Sequence, residues 1–227
     1  MDYENVEGIM KRFESKELLE DSLADELIIV LGEAIAKYGN ATLLVSGGST
    51  PKGLFKKLSE RKIPWKNTTI GLVDERFVNN SSEYSNEKLI RETFLQREAC
   101  EATLIPMVFD DSNEEKNIDL VRKAYEKFDR IDAIILGMGD DGHTASIFPN
   151  DPASVNALKT KELLVSTKAP NYPTHRITCS IDFLKRAERT FLFITGENKL
   201  QVLQESFDKN YPIAQFYNQN TDIYYSK

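Results

Sequence analysis

The feature that most constrains the fold is an alternation of short, continuously apolar runs with longer helical patterns. Three of these runs are TLLV at 42–45, IDAIIL at 131–136 and TFLFI at 190–194. Strands that are apolar on both faces are typical of a parallel sheet covered by helices on both sides. We therefore predict an α/β fold with a mostly parallel sheet. No linker or internal repeat divides the 227 residues, so we expect a single domain over residues 1–227.

Hydrophobic periodicity and turn residues set the expected order of elements. Helices are predicted at 16–38, 51–58, 87–95, 113–128, 182–187 and 196–207. Strands are predicted at 7–14, 42–45, 68–73, 103–107, 131–136, 162–167, 177–180 and 190–194, and the tail, with IAQF at 213–216 and IYY at 223–225, adds one more.

Composition excludes several classes of function. The net charge is −7, whereas nucleic-acid binding needs a basic surface, so we expect no nucleic-acid partner. The N-terminal segment MDYENVEGIMKRFES lacks the apolar core of a secretory signal, and no apolar run approaches the roughly 18 residues that span a membrane. Cys100 and Cys179 have neither metal-site nor redox spacing, which favours a reducing compartment. We expect a cytoplasmic protein that does not bind membranes.

Four of the predicted strands are followed by chemically reactive or anion-binding residues. These segments are SGGSTP from 46, DERF from 74, GMGDDGH from 137 and GENK from 196. In a parallel sheet the carboxyl ends of the strands meet at one edge, where ligands bind. If all four strands are parallel, the four loops form one site.

The loop GMGDDGH contains His143, one of two histidines in the chain. Its G-x-G-x-x-G pattern also fits a dinucleotide site, but Asp140 and Asp141 would repel a pyrophosphate. The acid about 20 residues on, Glu162, opens a strand, whereas a ribose-binding acid should end one. A tight turn would explain the glycines but not the Asp-Gly-His cluster. A histidine beside a carboxylate is suited to general-base catalysis.

The loop SGGSTP is predicted to bind an anion. Adjacent glycines, Gly47 and Gly48, allow successive backbone N–H groups to point inward. Thr50 is a suitable N-cap and Pro51 a suitable first helical residue, so a helix N-terminus would face the same pocket. The spacing of a Walker loop is absent. The alternative is an ordinary capped helix start without a ligand.

Two cations are candidates for holding the same anion. Lys199 falls in or next to the first turn of a helix, where the positive charge of a lysine is unfavourable with the helix dipole. A nearby anion would offset this cost. Arg176 begins a strand, and its guanidinium can hold a phosphate with two hydrogen bonds. The alternatives are a solvated lysine offset by Glu197 and a surface arginine. His175 is expected to be structural or solvent-facing.

The segment DERF ends a strand, where adjacent side chains point to opposite faces. At most two of the three charged side chains can enter one pocket, and we favour Asp74 and Arg76. A structural Asp–Arg network beneath the loops is the alternative. Ser85 and Asn86 are expected to cap the helix that follows.

The assembled segments resemble the 6-phosphogluconolactonase family of the pentose phosphate pathway, in the wider group that includes glucosamine-6-phosphate deaminase. The matching segments are SGGSTPKGLF, VDERFV, GMGDDGHTASIFP, HRIT and TGENK, in family order over residues 46–199. The resemblance implies a three-layer αβα sandwich with a Rossmann-like sheet, no cofactor and no metal. It implies hydrolysis of 6-phosphoglucono-δ-lactone to 6-phosphogluconate.

The resemblance also implies roles for individual residues. His143 would activate the attacking water, supported by Asp141. Asp74 and Arg76 would line the sugar end. The phosphate would be held by Gly47, Gly48, Ser49, Thr50, Arg176 and Lys199.

Two other functions stay open at this point. The deaminase-like loop has a carboxylate just before the proline, where this chain has Phe148, and its loss removes a member of a proton relay. A non-catalytic sugar-phosphate sensor would not need His143. We expect a monomer or weak dimer, and we expect the extra charge of Asp140 to point to solvent.

Overall fold

The computed structural model describes residues 3–227. Seven strands form a central sheet in the order β1-β10-β9-β6-β2-β3-β5, and each neighbouring pair in it is parallel. These strands are β1 (Met10–Phe13), β2 (Ala41–Val45), β3 (Thr68–Leu72), β5 (Thr103–Ile105), β6 (Ile131–Leu136), β9 (Ala187–Thr195) and β10 (Thr221–Ser226). The predicted α/β fold with a mostly parallel sheet is confirmed.

Helices flank this sheet. They are α1 (Tyr3–Gly8), α2 (Lys16–Tyr38), α3 (Lys52–Ser59), α4 (Asn86–Thr93), α5 (Glu114–Tyr125), α6 (Pro152–Lys159), α7 (Ile181–Leu184) and α8 (Glu197–Glu205). No helix in residues 3–227 is long and apolar enough to cross a membrane.

The long helix α2 shows how the sequence fixes its bounds. The Ser15 side chain accepts a hydrogen bond from the Leu18 backbone N–H at the start, and Gly39 takes a left-handed conformation at the end. Leu23, Leu27 and others on one face are completely buried. Each such leucine stabilises the fold by about 1.5–3 kcal/mol.

The four strands that precede the functional loops, β2, β3, β6 and β9, are all parallel members of the central sheet, as expected. A second, smaller sheet was not predicted. Strands β4 (Asp74–Arg76), β7 (Leu164–Lys168) and β8 (His175–Cys179) form it in the order β4-β8-β7, and both pairs are antiparallel. The backbone leaves the central sheet after Val73, whose N–H still bonds to Val45 and whose carbonyl accepts from Cys179. DERF therefore follows the carboxyl end of the parallel strand β3, and its first three residues pair with β8 instead of extending β3.

Three local predictions were wrong in detail. The segment predicted as a strand at 7–14 ends a helix and then forms β1 over four residues. The run IAQF belongs to a 3₁₀ helix, Pro212–Phe216, in which Ile213 and Phe216 are buried three residues apart. Ala187, predicted to end a helix, instead opens β9 because it pairs with Ile131 of β6.

Candidate active site

A cavity of about 470 Å³ lies at the carboxyl ends of the central strands. The loops after β2, β6 and β9 meet there with the small sheet, as the four-loop hypothesis predicted. Its wall includes most of the predicted residues: Gly47, Gly48, Thr50, Asp74, Arg76, Asp141, His143, Arg176 and Lys199. Ser49 is exposed and does not line the cavity, so its role in binding stays a prediction.

His143 and Asp141 form a hydrogen-bonded pair in this wall. The imidazole Nδ1 lies 2.5 Å from the Asp141 Oδ1, and the same oxygen accepts the His143 backbone N–H at 3.1 Å. Burial raises the pKa of Asp141, but the hydrogen bonds and charge of His143 outweigh it and leave that pKa below its usual range. The carboxylate thus holds Nδ1–H, which leaves Nε2 as the nitrogen that can accept a proton.

The turn around His143 is tightly built. The Gly139 N–H donates to the His143 carbonyl at 2.8 Å, and a Cβ on Gly139 would lie 2.1 Å from the imidazole, so the ring can occupy this position only beside a glycine. On the other side the Phe148 ring packs on the imidazole with centroids 4.7 Å apart. Ala145, a non-glycine residue at φ 50°, lies in the same loop, and such strain is concentrated at functional sites.

Ser146 connects Asp74 to the loop that carries His143. The Ser146 hydroxyl donates to Asp74 Oδ2 at 2.5 Å, and the Ser146 backbone N–H donates to the Thr178 hydroxyl at 3.2 Å. The Ser146 carbonyl in turn accepts from the Thr167 hydroxyl. The small sheet and the His143 loop are therefore held together by buried hydrogen bonds that sequence reasoning did not identify.

Strand alternation at DERF is as predicted: Asp74 and Arg76 line the cavity, and Glu75 points away from it. The buried Glu75 carboxylate accepts hydrogen bonds from the Asn86 and Glu87 backbone N–H groups at the start of α4. Burial raises the pKa of Glu75 to about 7, against the lowering effect of these hydrogen bonds. Ser85 caps α4 as predicted, accepting from the backbone N–H of Lys88.

The glycine loop approaches its neighbours closely. A Cβ on Gly47 would lie 1.9 Å from the Asn86 side-chain oxygen, and Gly48 has φ 96°, a conformation that favours glycine. The prediction that Thr50 caps the helix was wrong. Helix α3 begins at Lys52, Pro51 precedes it, and no side chain caps it. The first-turn N–H groups of α3 therefore donate to no capping side chain.

Arg176 is the most unusual group in the wall. It is 8% exposed, and its Nε and Nη1 have no hydrogen-bond partner within the described residues. Arg76 lies opposite it in the β4–β8 register, and its own Nη1 donates to the Tyr84 carbonyl at 2.7 Å. Burial lowers the pKa of Arg176, and the neighbouring charge of Arg76 lowers it further. Two cations side by side, one of them buried and unpartnered, are suited to an anionic ligand.

Lys199 occupies the first turn of α8, as predicted. Its ammonium donates to the Met138 carbonyl at 2.7 Å and lies 2.9 Å from Asp140 Oδ1. The Asp140 side chain is 86% exposed, as expected, yet it is engaged with this lysine.

Two other expectations concern groups away from this wall. His175 is exposed, and its Nδ1 lies 2.7 Å from Glu114 Oε2, which agrees with a structural or solvent-facing role. The tail, which was predicted only to add a strand, also contacts the His143 loop, since the Ile213 N–H donates to the Gly142 carbonyl at 3.3 Å.

The family follows from comparison with known proteins. A family model described as glucosamine-6-phosphate isomerases/6-phosphogluconolactonase matches residues 14–225. The chain belongs to this family. A 6-phosphogluconolactonase of Helicobacter pylori is 35% identical over 222 residues, 95% of this chain and 96% of the relative. One from Neisseria meningitidis is 37% identical over 216 residues, 91% and 94% of the two chains.

A solved structure agrees with these relatives. The crystal structure of a 6-phosphogluconolactonase from Shewanella baltica has a TM-score of 0.92 to this chain at 36% identity, covering 96% of this chain and 97% of that one. The matched region of the family contains the whole cavity wall described above.

Some lining residues gave no signal in the sequence. Ala169, Pro170 and Asn171 border the cavity from the loop between β7 and β8. This loop has no glycine cluster or charged group, and only the antiparallel pairing of the small sheet places it at the site. Ser146 was part of a quoted motif, but its link to Asp74 joins residues 72 positions apart.

Proposed function

We propose that this protein is a 6-phosphogluconolactonase, which hydrolyses 6-phospho-D-glucono-1,5-lactone to 6-phospho-D-gluconate in the oxidative pentose phosphate pathway. The observation that carries the proposal is a His143–Asp141 pair in one cavity with the buried guanidinium of Arg176, two of whose nitrogens have no partner among residues 3–227. A base and a phosphate-binding cation are the two groups that this substrate requires. The named activity of the Helicobacter, Neisseria and Shewanella relatives supports the same reaction.

In the proposed mechanism His143 acts as the general base. Its Nε2 takes a proton from a water whose oxygen attacks the lactone carbonyl carbon, while Asp141 holds Nδ1–H and stabilises the imidazolium that forms. The tetrahedral intermediate collapses by breaking the bond from that carbon to the ring oxygen. The ring oxygen then receives the proton from His143 and becomes a hydroxyl. Arg76 and backbone N–H groups of the cavity wall are candidates for stabilising the oxyanion.

The phosphate would be held by groups of the cavity wall other than the His143–Asp141 pair. Arg176 supplies a guanidinium fork, Lys199 an ammonium group, and α3 the first-turn N–H groups that no side chain caps. Because the net charge is −7, these local groups act against the field of the whole protein. Asp74 and Arg76 would line the sugar end.

Phe148 favours lactone hydrolysis over isomerisation or deamination, the other chemistry of the family. It stands where the deaminase-like loop has a carboxylate, and its ring packs against His143. A phenyl ring cannot pass a proton to the imidazole, so the relay for sugar ring opening is interrupted. A binding-only sensor has no need of the oriented His143–Asp141 pair.

A coupled assay tests the proposal. Glucose-6-phosphate dehydrogenase generates the lactone, and 6-phosphogluconate formation is followed with and without this protein. We expect acceleration over spontaneous ring opening, and none with the His143→Asn variant. An unaccelerated rate together with activity on glucosamine 6-phosphate would reverse the assignment.

The remaining expectations from the sequence stay predictions. They are a cytoplasmic location, a monomer or weak dimer, and hydrolysis without a cofactor or metal. Among the described residues, no group of three His, Cys, Asp or Glu side chains is placed to hold a metal ion. Sedimentation of the purified protein would measure the oligomeric state.

A further inference from the structure

Two adjacent aspartates in the catalytic loop contact different partners. Asp141 holds His143, whereas Asp140 lies 2.9 Å from the ammonium of Lys199. Lys199 is one of the cations assigned above to the phosphate, so the inference rests on the proposed function. A carboxylate of this chain therefore already occupies an anion position on that lysine.

The two phosphate-binding cations differ in this respect. Arg176 is buried, and two of its nitrogens have no partner in the described part of the chain. The ammonium of Lys199 has three N–H donors, and Asp140 and the Met138 carbonyl engage two of them. The Met138 carbonyl belongs to the backbone and is fixed. Of the two partners, only the Asp140 carboxylate can therefore make room for a ligand, by rotation of its side chain.

Asp140 is also weakly held. Its side chain is 86% exposed, and ion pairs with a solvent-exposed partner are weak. A phosphate dianion carries more charge than a carboxylate, and Arg176 lines the same cavity as Lys199. Displacing Asp140 also leaves the hydrogen bonds between Asp141 and His143 unchanged, because those use a different side chain.

We propose that Asp140 is an internal competitor for the substrate phosphate: it holds Lys199 in the free protein, is displaced on binding, and weakens the grip on both substrate and product. Once displaced, its charge stays close to the phosphate and repels it. This repulsion favours release of 6-phosphogluconate, whose phosphate is the same as that of the lactone.

A purely structural role for Asp140 predicts the opposite change in phosphate affinity. If Asp140 only fixed Lys199 and α8 in place, removing its charge would loosen the lysine and weaken phosphate binding. The direction of the change in affinity therefore separates the two roles.

The test uses Asp140→Asn, which keeps the shape of the side chain and removes its charge. Calorimetry at low ionic strength measures the Kd for 6-phosphogluconate and for inorganic phosphate. We expect both Kd values to fall about two- to fivefold, the range that an exposed ion pair allows. The KM for the lactone should fall with them, and gluconate, which lacks the phosphate, should show no change.

Two further variants make the result specific. Asp129→Asn removes the same charge from an exposed residue before β6, at the opposite edge of the sheet, and should leave every Kd unchanged. In a Lys199→Gln background, Asp140→Asn should tighten phosphate binding much less than in the wild type. Equal tightening in both backgrounds would mean that Asp140 acts by general repulsion rather than through Lys199.

Unchanged or weaker phosphate binding by Asp140→Asn would overturn the inference, as would a wild type that binds neither anion. Both outcomes leave the proposed function intact if the coupled assay still shows lactone hydrolysis. Tighter phosphate binding without lactone hydrolysis would instead support the competitor role and contradict the proposed reaction.

Discussion

The two sides of the cavity differ in how far their polar groups are satisfied before any ligand binds. On the catalytic side, His143 is fixed by Asp141 through two hydrogen bonds and packed against Phe148. On the phosphate side, Arg176 is buried beside Arg76 with two unpartnered nitrogens within the described residues. The difference supports the proposal that the His143–Asp141 pair is preorganised for the transition state, while Arg176 gains its hydrogen-bond partners from the ligand.

Replacing His143 tests the preorganised side and should have the largest effect. His143→Asn removes the base, so kcat should fall by roughly 10² or more, the usual scale for loss of general-base catalysis. The KM should change little because the phosphate contacts remain. The matched control is His175→Asn, which removes the chain's other histidine from an exposed contact with Glu114. Near-normal kcat in His143→Asn would remove this residue from the mechanism.

Replacing Arg176 tests the side whose polar groups lack partners. It should weaken substrate binding while increasing the stability of the fold. Arg176→Met removes the guanidinium fork, so the KM for the phosphorylated lactone should rise roughly tenfold to hundredfold. The preference for the phosphorylated lactone over glucono-δ-lactone should decrease. The free energy of unfolding in phosphate-free buffer should increase by about 1 kcal/mol or more, because a buried, unpaired charge is replaced by an apolar side chain of similar length.

The control for this experiment is Arg186→Met, which removes an exposed arginine paired with Asp182. We expect little change in either KM or thermal stability. A loss of stability in Arg176→Met would show that this guanidinium is satisfied in the free protein, and the contrast between the two sides of the cavity would disappear.

Replacing Asp141 should have a smaller effect than removing the base itself. Asp141→Asn keeps the size of the side chain but loses the charge that orients Nδ1–H and stabilises the imidazolium. We expect kcat to fall about tenfold or more and KM to stay within about twofold. Steady-state kinetics on both variants decide the order, and an equal loss in Asp141→Asn and His143→Asn would mean that the pair acts as one unit.

The central sheet was predictable because its strands are apolar on both faces. Strands β2 and β6 are buried at every position, and helix α2 spans the predicted residues because Ser15 and Gly39 mark its ends. The small sheet was not predictable as a separate unit. Strand β4 is three charged residues, Asp74–Arg76, and nothing in that sequence tells which strand it pairs with or in which direction.

The site divides in the same way between local and distant contacts. The contact between Asp141 and His143 joins residues two positions apart; the loop sequence indicated a carboxylate partner for the histidine, and the family resemblance implied that it is Asp141. The Arg76–Arg176 register and the Ser146–Asp74 hydrogen bond join distant segments, and the sequence does not encode them as a pattern. The residues that form the site could therefore be predicted from the sequence, whereas most of the contacts between them could not.

Glu75 shows that a fully hydrogen-bonded carboxylate can still be destabilised in its ionised form by burial. Its carboxylate accepts from the backbone N–H groups of Arg76, Asn86 and Glu87 and from the Ser85 hydroxyl. Burial nevertheless raises its pKa to about 7, more than these hydrogen bonds lower it. A group can thus be hydrogen-bonded on both oxygens and still be easier to protonate in the folded state.

The pH dependence of stability tests this property of Glu75. Between its usual pKa of 4.5 and the folded value of about 7, the folded protein holds a proton that the unfolded chain has lost. The contribution of Glu75 to stability is therefore present below pH 4.5 and is lost as the pH rises through 7. Glu75→Gln does not titrate at this position. From pH 5 to pH 8 the unfolding free energy of the wild type should therefore fall, relative to that of the variant, by more than about 1 kcal/mol. Urea denaturation at several pH values measures it, with the exposed Glu83→Gln as a control that should keep the wild-type slope. A constant difference across this range would show that the hydrogen bonds at the start of α4 keep Glu75 ionised despite its burial.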